Sequence, residues 1–132
     1  MPVRGVRGAT TVDANEAGAI LRATRELLVE MVARNGIDVG DLAAGYFTVT
    51  DDLNAAFPAQ AARELGWGHV PLLDAREIPV PGSLRRCIRV MLLWNTDRSP
   101  EHVAHIYRNE AVSLRPDLVA SGAAPGERKD SA

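Results

Sequence analysis

Residues 86–95, RCIRVMLLWN, set an arginine, Arg89, inside the most apolar stretch of the chain. A short run this apolar reads as a strand covered on both faces, since a half-buried strand alternates apolar with polar residues. It therefore reads as a central strand, and Arg89 lies within it between Ile88 and Val90. A charge in such surroundings must meet an anion, because an unpaired buried charge costs on the order of several kcal/mol. Glu77 or Asp74 would serve as a structural partner; an anionic ligand, or negative charge developing on one, is the other reading.

Other strands have to flank this one. Residues 3–11, VRGVRGATT, alternate with period two, setting Val3, Gly5, Arg7 and Ala9 on one face and Arg4 and Val6 on the other. The glycines suggest close approach of a ligand or another backbone. Asp13 and Glu16 are spaced as a capping box for an amphipathic helix running to about Arg34, which Asn35-Gly36 stops. Residues 41–44 read as a short helical turn and 45–50, GYFTVT, as the second strand. Phe57-Pro58 opens a short helix through Leu65, with Gly66 at its C′ position. Residues 69–73 read as strand three and 78–83, IPVPGS, as a stiff loop. Ser99-Pro100-Glu101 caps a third short helix, Ile106-Tyr107 begins a last extended segment, and 111–118 closes the fold.

That order predicts an α+β fold: a mixed five-stranded sheet with one long helix and short helices on one face. Such a sheet leaves apolar area uncovered at Tyr46, Phe47, Trp94 and residues 91–93, which predicts a homo-oligomer. With 132 residues, 46% apolar, there is room for one domain over 1–118, followed by a flexible tail over 119–132.

Composition removes several chemistries. Fourteen of the fifteen basic residues are arginines, and the one lysine, Lys129, sits in the tail. A Walker lysine, a Schiff-base lysine and a lysine general base are thus missing from the body, and any bound anion is gripped by guanidinium forks. A pI of about 5.9 with no basic stripe argues against nucleic acid. No apolar run approaches the ~18 residues of a membrane span, and MPVRGVRG lacks a signal-peptide core. The cytoplasm is the expected location. Cys87 alone makes neither a disulfide nor a CxxC site, and His102 with His105 lacks a third metal ligand. No serine or cysteine has a visible base and orienter, so electrostatics and positioning remain as the means of any catalysis.

VRGVRGATTV, DLNAAFPAQAARELGW, VPGSLRRCIRVM and HIYRNEAVSLRPDL, in this order from about Val3 to Leu118, resemble the monofunctional, trimeric chorismate mutases of the pseudo-α/β-barrel type. The resemblance implies an isomerase that converts chorismate to prephenate for phenylalanine and tyrosine synthesis, without metal, cofactor or covalent intermediate. It implies a homotrimer with an active site at each subunit interface.

It also implies roles. Arg7 resembles the arginine gripping a substrate carboxylate, Arg89 the one bonding the ether oxygen and a carboxylate, and Glu77 the acceptor for the ring hydroxyl. Tyr107 resembles the tyrosine contacting the enolpyruvyl carboxylate. Phe57, Ala59 and Arg63 resemble a wall supplied by the adjacent subunit, Leu114 and Arg115 lie near the mouth, and Leu72 and Leu73 fall at lining positions. Asp74, also at a substrate-binding position, stands where a cysteine or serine commonly supports the glutamate; facing the pocket, it would raise the proton affinity of one carboxylate. Gln60 stands where a relative may carry lysine. The same architecture resembles that of trimeric imine deaminases and metabolite-binding relatives. A simple binder would need no Glu77 opposite Arg89, and a structural interaction module would leave Arg89 merely salt-bridged.

Overall fold

A computed structural model describes residues 1–114. Five strands, β1 (Val3–Thr11), β2 (Leu42–Val49), β3 (Leu72–Arg76), β4 (Cys87–Asn95) and β5 (Ile106–Tyr107), form one mixed sheet in the order β3-β2-β4-β1-β5. The apolar run is central, as its composition requires, and pairs antiparallel with β1 and β2; β3 and β5 join parallel at the edges. Two helices, α1 (Ala17–Asn35) and α2 (Ala59–Glu64), pack together against one side of the sheet.

The pleat decides which residues serve the core. On β4, Ile88, Val90, Leu92 and Trp94 are buried, and α1 brings Ile20, Leu27, Leu28 and Met31 onto this side of the sheet. Each such side chain contributes ~1.5–3 kcal/mol on full burial. The alternate residues Arg89, Met91 and Leu93 point to the other, open face. This corrects the expectation of a buried Arg89, whose side chain is 51% exposed. The run reads as doubly buried because Met91 and Leu93, on the open face, are apolar too. That face and its rim also carry exposed Val3, Tyr46, Leu73, Ile78 and Val80.

Several local expectations shift. The long helix begins at Ala17 with Glu16 as an N-cap that makes no side-chain bond, so no capping box forms. The Asn15 side chain is instead drawn into the loop, accepting from the N–H groups of Asn54 and Ala55 at 3.0 and 3.1 Å. The helix does stop at Gly36, φ 66°, whose N–H reaches the Val32 carbonyl. The helical turn expected over 41–44 is a 3₁₀ turn at Val39–Asp41, with Asp38 accepting from the Gly40 N–H, and β2 starts at Leu42. β3 lies three residues later than expected at each end, because Val70 closes a turn onto Trp67 and Pro71 has no N–H to give a ladder. The third helix is a 3₁₀ turn at Pro100–His102, where the Ser99 hydroxyl meets His102 Nδ1 instead of capping an amide. A further 3₁₀ helix runs over Asn109–Leu114. Arg115, the end of the 111–118 segment and the tail lie outside the described residues. Among the described residues no helix is long and apolar enough to cross a membrane.

Candidate active site

The register builds a row of side chains across the open face. Arg89 stands opposite Thr48 on β2 and Ala9 on β1, and Ala9 in turn stands opposite Tyr107 on β5. Two strand spacings, roughly 9–10 Å, therefore separate Arg89 from Tyr107, with only the Ala9 methyl between them. In the next row Arg7, Met91 and Tyr46 are neighbours. Glu77 follows β3, fixed by its N–H to the Val49 carbonyl at 2.8 Å. Its Oε2 accepts from the Thr48 hydroxyl, and its Oε1 lies 3.6 Å from Arg89 Nη1.

These groups enclose a cleft of about 200 Å³ with Arg7, Tyr46, Thr48, Glu77, Arg89 and Tyr107 in its lining. Two guanidiniums and one carboxylate leave a formal charge of +1, suited to an anion. The Arg89–Glu77 pair is half exposed, so it is worth only ~0–1 kcal/mol and gives way readily to a stronger anion. Compared with the roughly 300–1,000 Å³ of an ordinary ligand site, the cleft of one chain is undersized.

Not every expected residue faces it. Leu72 and Asp74 have the parity of Gly45 and Phe47, toward the helices. Leu72 packs on the core, and Asp74 Oδ1 accepts from the Ala59 N–H at 3.0 Å, closing the start of α2. The two carboxylates of Asp74 and Glu77 therefore serve opposite sides of the sheet and do not share a pocket. Leu73 lies on the open face beside Tyr46 and is 62% exposed. The Ala59 side chain is buried in the core, whereas Phe57 and Arg63 are exposed on the α2 side, away from this chain's cleft. Leu114 ends the last 3₁₀ helix, outside the cleft lining. The glycines serve packing: a Cβ at Gly8 would stand 2.4 Å from Met31 Sδ, and one at Gly5 3.1 Å from Met91 Sδ.

Thr48 was not singled out from the sequence, and Tyr46 and Met91 entered there only as uncovered apolar area, not as site residues. The alternation of GYFTVT sets Tyr46 and Thr48 on one face, but only the pairing register tells that this face is shared with Arg89. Cys87 shares the parity of Arg89, as expected, and is no nucleophile. Burial pushes its thiol up to about 11, against the opposing pull of Arg89. His102 and His105 are engaged individually: His105 Nδ1 accepts from the Arg7 N–H at 3.0 Å, and His102 meets Ser99. Among the described residues no group of three or more His, Cys, Asp or Glu is arranged to hold a metal.

A carboxylate set opposite the arginine is more than a simple anion binder needs. Comparison with known proteins points the same way. The family model for chorismate mutase type I matches residues 3–118. The chain is 60% identical over 117 residues to the chorismate mutase AroH of Thermus thermophilus, covering 88% of this chain and 96% of that protein. It is 42% identical over 119 residues to the chorismate mutase AroH of Bacillus subtilis, covering 89% and 94%. A solved structure of a chorismate mutase from Clostridium thermocellum superposes with a TM-score of 0.82 at 49% identity, covering 83% of this chain and 98% of that one.

Proposed function

The chain belongs to the type I chorismate mutases, and from that premise we propose how its own residues turn chorismate into prephenate. The observation that carries the proposal is the Arg89–Glu77 pair, 3.6 Å apart on the open face with Arg7 and Tyr107 in the same cleft. Chorismate is a dianion with one carboxylate on the ring and one on the enolpyruvyl ether. Its rearrangement is unimolecular: the ether C–O bond breaks as a C–C bond forms, and no nucleophile or proton is required.

The first task is conformational. The flexible ether must be folded over the ring, and groups gripping both ends supply that orientation. Arg7 takes a carboxylate, Tyr107 contacts the enolpyruvyl carboxylate, and Glu77 accepts from the ring hydroxyl. The second task is electrostatic. As C–O cleavage runs ahead of C–C formation, negative charge grows on the ether oxygen. A guanidinium already aimed there holds the transition state more tightly than the substrate, which is the condition for raising kcat. The fork of Arg89 spans ether oxygen and carboxylate together, as a point-charge ammonium cannot.

The undersized cleft and the exposed apolar side chains around it support a homotrimer in which each cleft is completed by its neighbour. In that assembly Phe57 and Arg63, remote from their own chain's cleft, form the wall of the next one, with Leu73 lining it and Leu114 toward the mouth. The substrate is chorismate, neither nucleic acid nor membrane is a partner, and the single cysteine suits the reducing cytoplasm.

Subunit mixing tests the interfacial site. Arg89→Gln and Arg63→Ala trimers are each impaired, and unfolding and refolding them together in equal amounts restores intact sites in roughly a quarter of the interfaces. Prephenate formation by the mixture well above the sum of the two parents is the expected result. No gain on mixing, with trimers confirmed by light scattering, would sink the shared site.

A further inference from the structure

Residues 77–86 leave the sheet after β3 and return at β4, so the two ends of this loop carry the spacing between Glu77 and Arg89. Both ends are tied to one segment, the end of β2 and the turn after it. At the first end, Glu77 donates its N–H to the Val49 carbonyl, and Thr48 donates to its carboxylate. At the second, Thr50 exchanges bonds with Cys87: its N–H reaches the Cys87 carbonyl at 3.0 Å, and its hydroxyl accepts from the Cys87 N–H at 3.0 Å. That hydroxyl then donates to Asp52 Oδ1 at 2.5 Å. Asp52 also takes the Arg86 N–H with both oxygens, at 3.1 and 3.0 Å.

Arg86 is the strained point. Its φ of 47° is left-handed, a conformation that non-glycine residues keep only where the surroundings hold them. The Asp52 carboxylate grips its N–H, while the Arg86 Nε and carbonyl are bound to the Val12 carbonyl and N–H, each at 3.0 Å. This residue sets the direction in which the chain enters β4. From there the pleat carries Cys87 and then Arg89 onto the open face.

We infer that Asp52 is a positioning residue for the reaction: by clamping Arg86 it fixes the entry of β4 and hence where the Arg89 guanidinium stands relative to Glu77. Asp52 lies in the loop pocket beside the cleft, not in the cleft lining. Its carboxyl is ionised at neutral pH. Burial pushes it up, but the bonds from Thr50, the Arg86 N–H and its own N–H, with the nearby Arg85 charge, outweigh that and hold it below 3.8. The inference rests on the reading that Arg89 and Glu77 act on chorismate.

The test compares Asp52→Ala and Asp52→Asn with the parent at a temperature where circular dichroism finds all of them folded. Misplacement of a catalytic group by a distant change costs up to about 10²-fold, so kcat of Asp52→Ala is expected to fall roughly 10- to 100-fold with KM within about threefold. Asp52→Asn retains one oxygen for the Arg86 N–H and falls between. A clamp that only stabilises the fold would lower the melting temperature and leave the kcat of folded protein intact; kcat within about twofold of the parent in Asp52→Asn overturns the inference. Should the alanine variant not fold, the asparagine variant decides alone. Arg89→Gln is assayed alongside. If it keeps its turnover, the site reading has failed; if it collapses while Asp52→Asn does not, only the positioning role has failed.

Discussion

Glu77 is held from two sides, with Oε2 taking the Thr48 hydroxyl and Oε1 standing 3.6 Å from Arg89 Nη1. The hydroxyl fixes the carboxylate, while the guanidinium contact is longer than a hydrogen bond, so Arg89 can bond a second anion from where it already stands. The pair is thereby a preset arrangement with one member able to take a second partner.

In the proposed mechanism that guanidinium is the charge that meets the breaking bond. Arg89→Gln is expected to lower kcat by at least ~10²–10³-fold, about 2.7–4 kcal/mol for one preorganised donor. The assay is loss of chorismate absorbance, and an unchanged kcat would remove Arg89 from the mechanism.

In the proposed mechanism Arg7 grips a carboxylate that keeps its charge from substrate to transition state, so its loss belongs mainly to binding. Arg7→Ala is expected to raise KM by roughly 10- to 100-fold, the worth of a charge-assisted bond of ~1.5–3 kcal/mol. A loss confined to kcat would contradict this division of labour.

Gly8 is enforced by packing beneath the cleft. In Gly8→Ala the new methyl would meet Met31 Sδ at 2.4 Å and Leu27 Cδ1 at 3.2 Å, and both of those side chains are fully buried. Overpacking is expected to cost about 1–3 kcal/mol, read from the midpoint of chemical denaturation. An unchanged midpoint would mean that Met31 bends aside freely.

The Cys87 thiol, pushed up to about 11, is protonated at pH 8. Ellman's reagent should leave the folded protein unmodified at that pH and react after denaturation. Rapid native labelling with loss of activity would show an accessible thiolate and reopen covalent chemistry.

Asp52 gives a pH signature. Its carboxyl is held below the ordinary 3.8 in the folded chain, so its contribution to stability is complete above that value and is lost as pH falls through the lower folded value. The stability gap between parent and Asp52→Asn should stay constant through neutral pH and begin to close below about pH 4. A gap closing between pH 6 and 8 would contradict the assignment to this carboxyl.

Strand identity, strand order along the chain and the stop of the long helix were legible because each has a local cause: alternation, apolar runs, or Gly36 in the left-handed region. Arg7, Glu77, Arg89 and Tyr107 were also legible, through motif resemblance, and they do converge. The parity of Leu72 and Asp74 was not. Pro71 and the Val70 turn push β3 along the chain, and a strand's facing depends on which neighbour it joins. Thr48 escaped notice for the same reason, since its importance is a matter of register with β4. The exposure of Arg89 was misread because apolar residues line both sides of its strand, and a single sequence does not tell a buried face from an open one that is apolar too.

The alternation along β4 has a consequence for variation. Ile88, Val90, Leu92 and Trp94 answer to the helices, while Arg89, Met91 and Leu93 answer to whatever lies over the sheet. A library randomised at the second set alone can explore new reactivity with the helix-packed core left intact, and one randomised at the first would spend its diversity on survival.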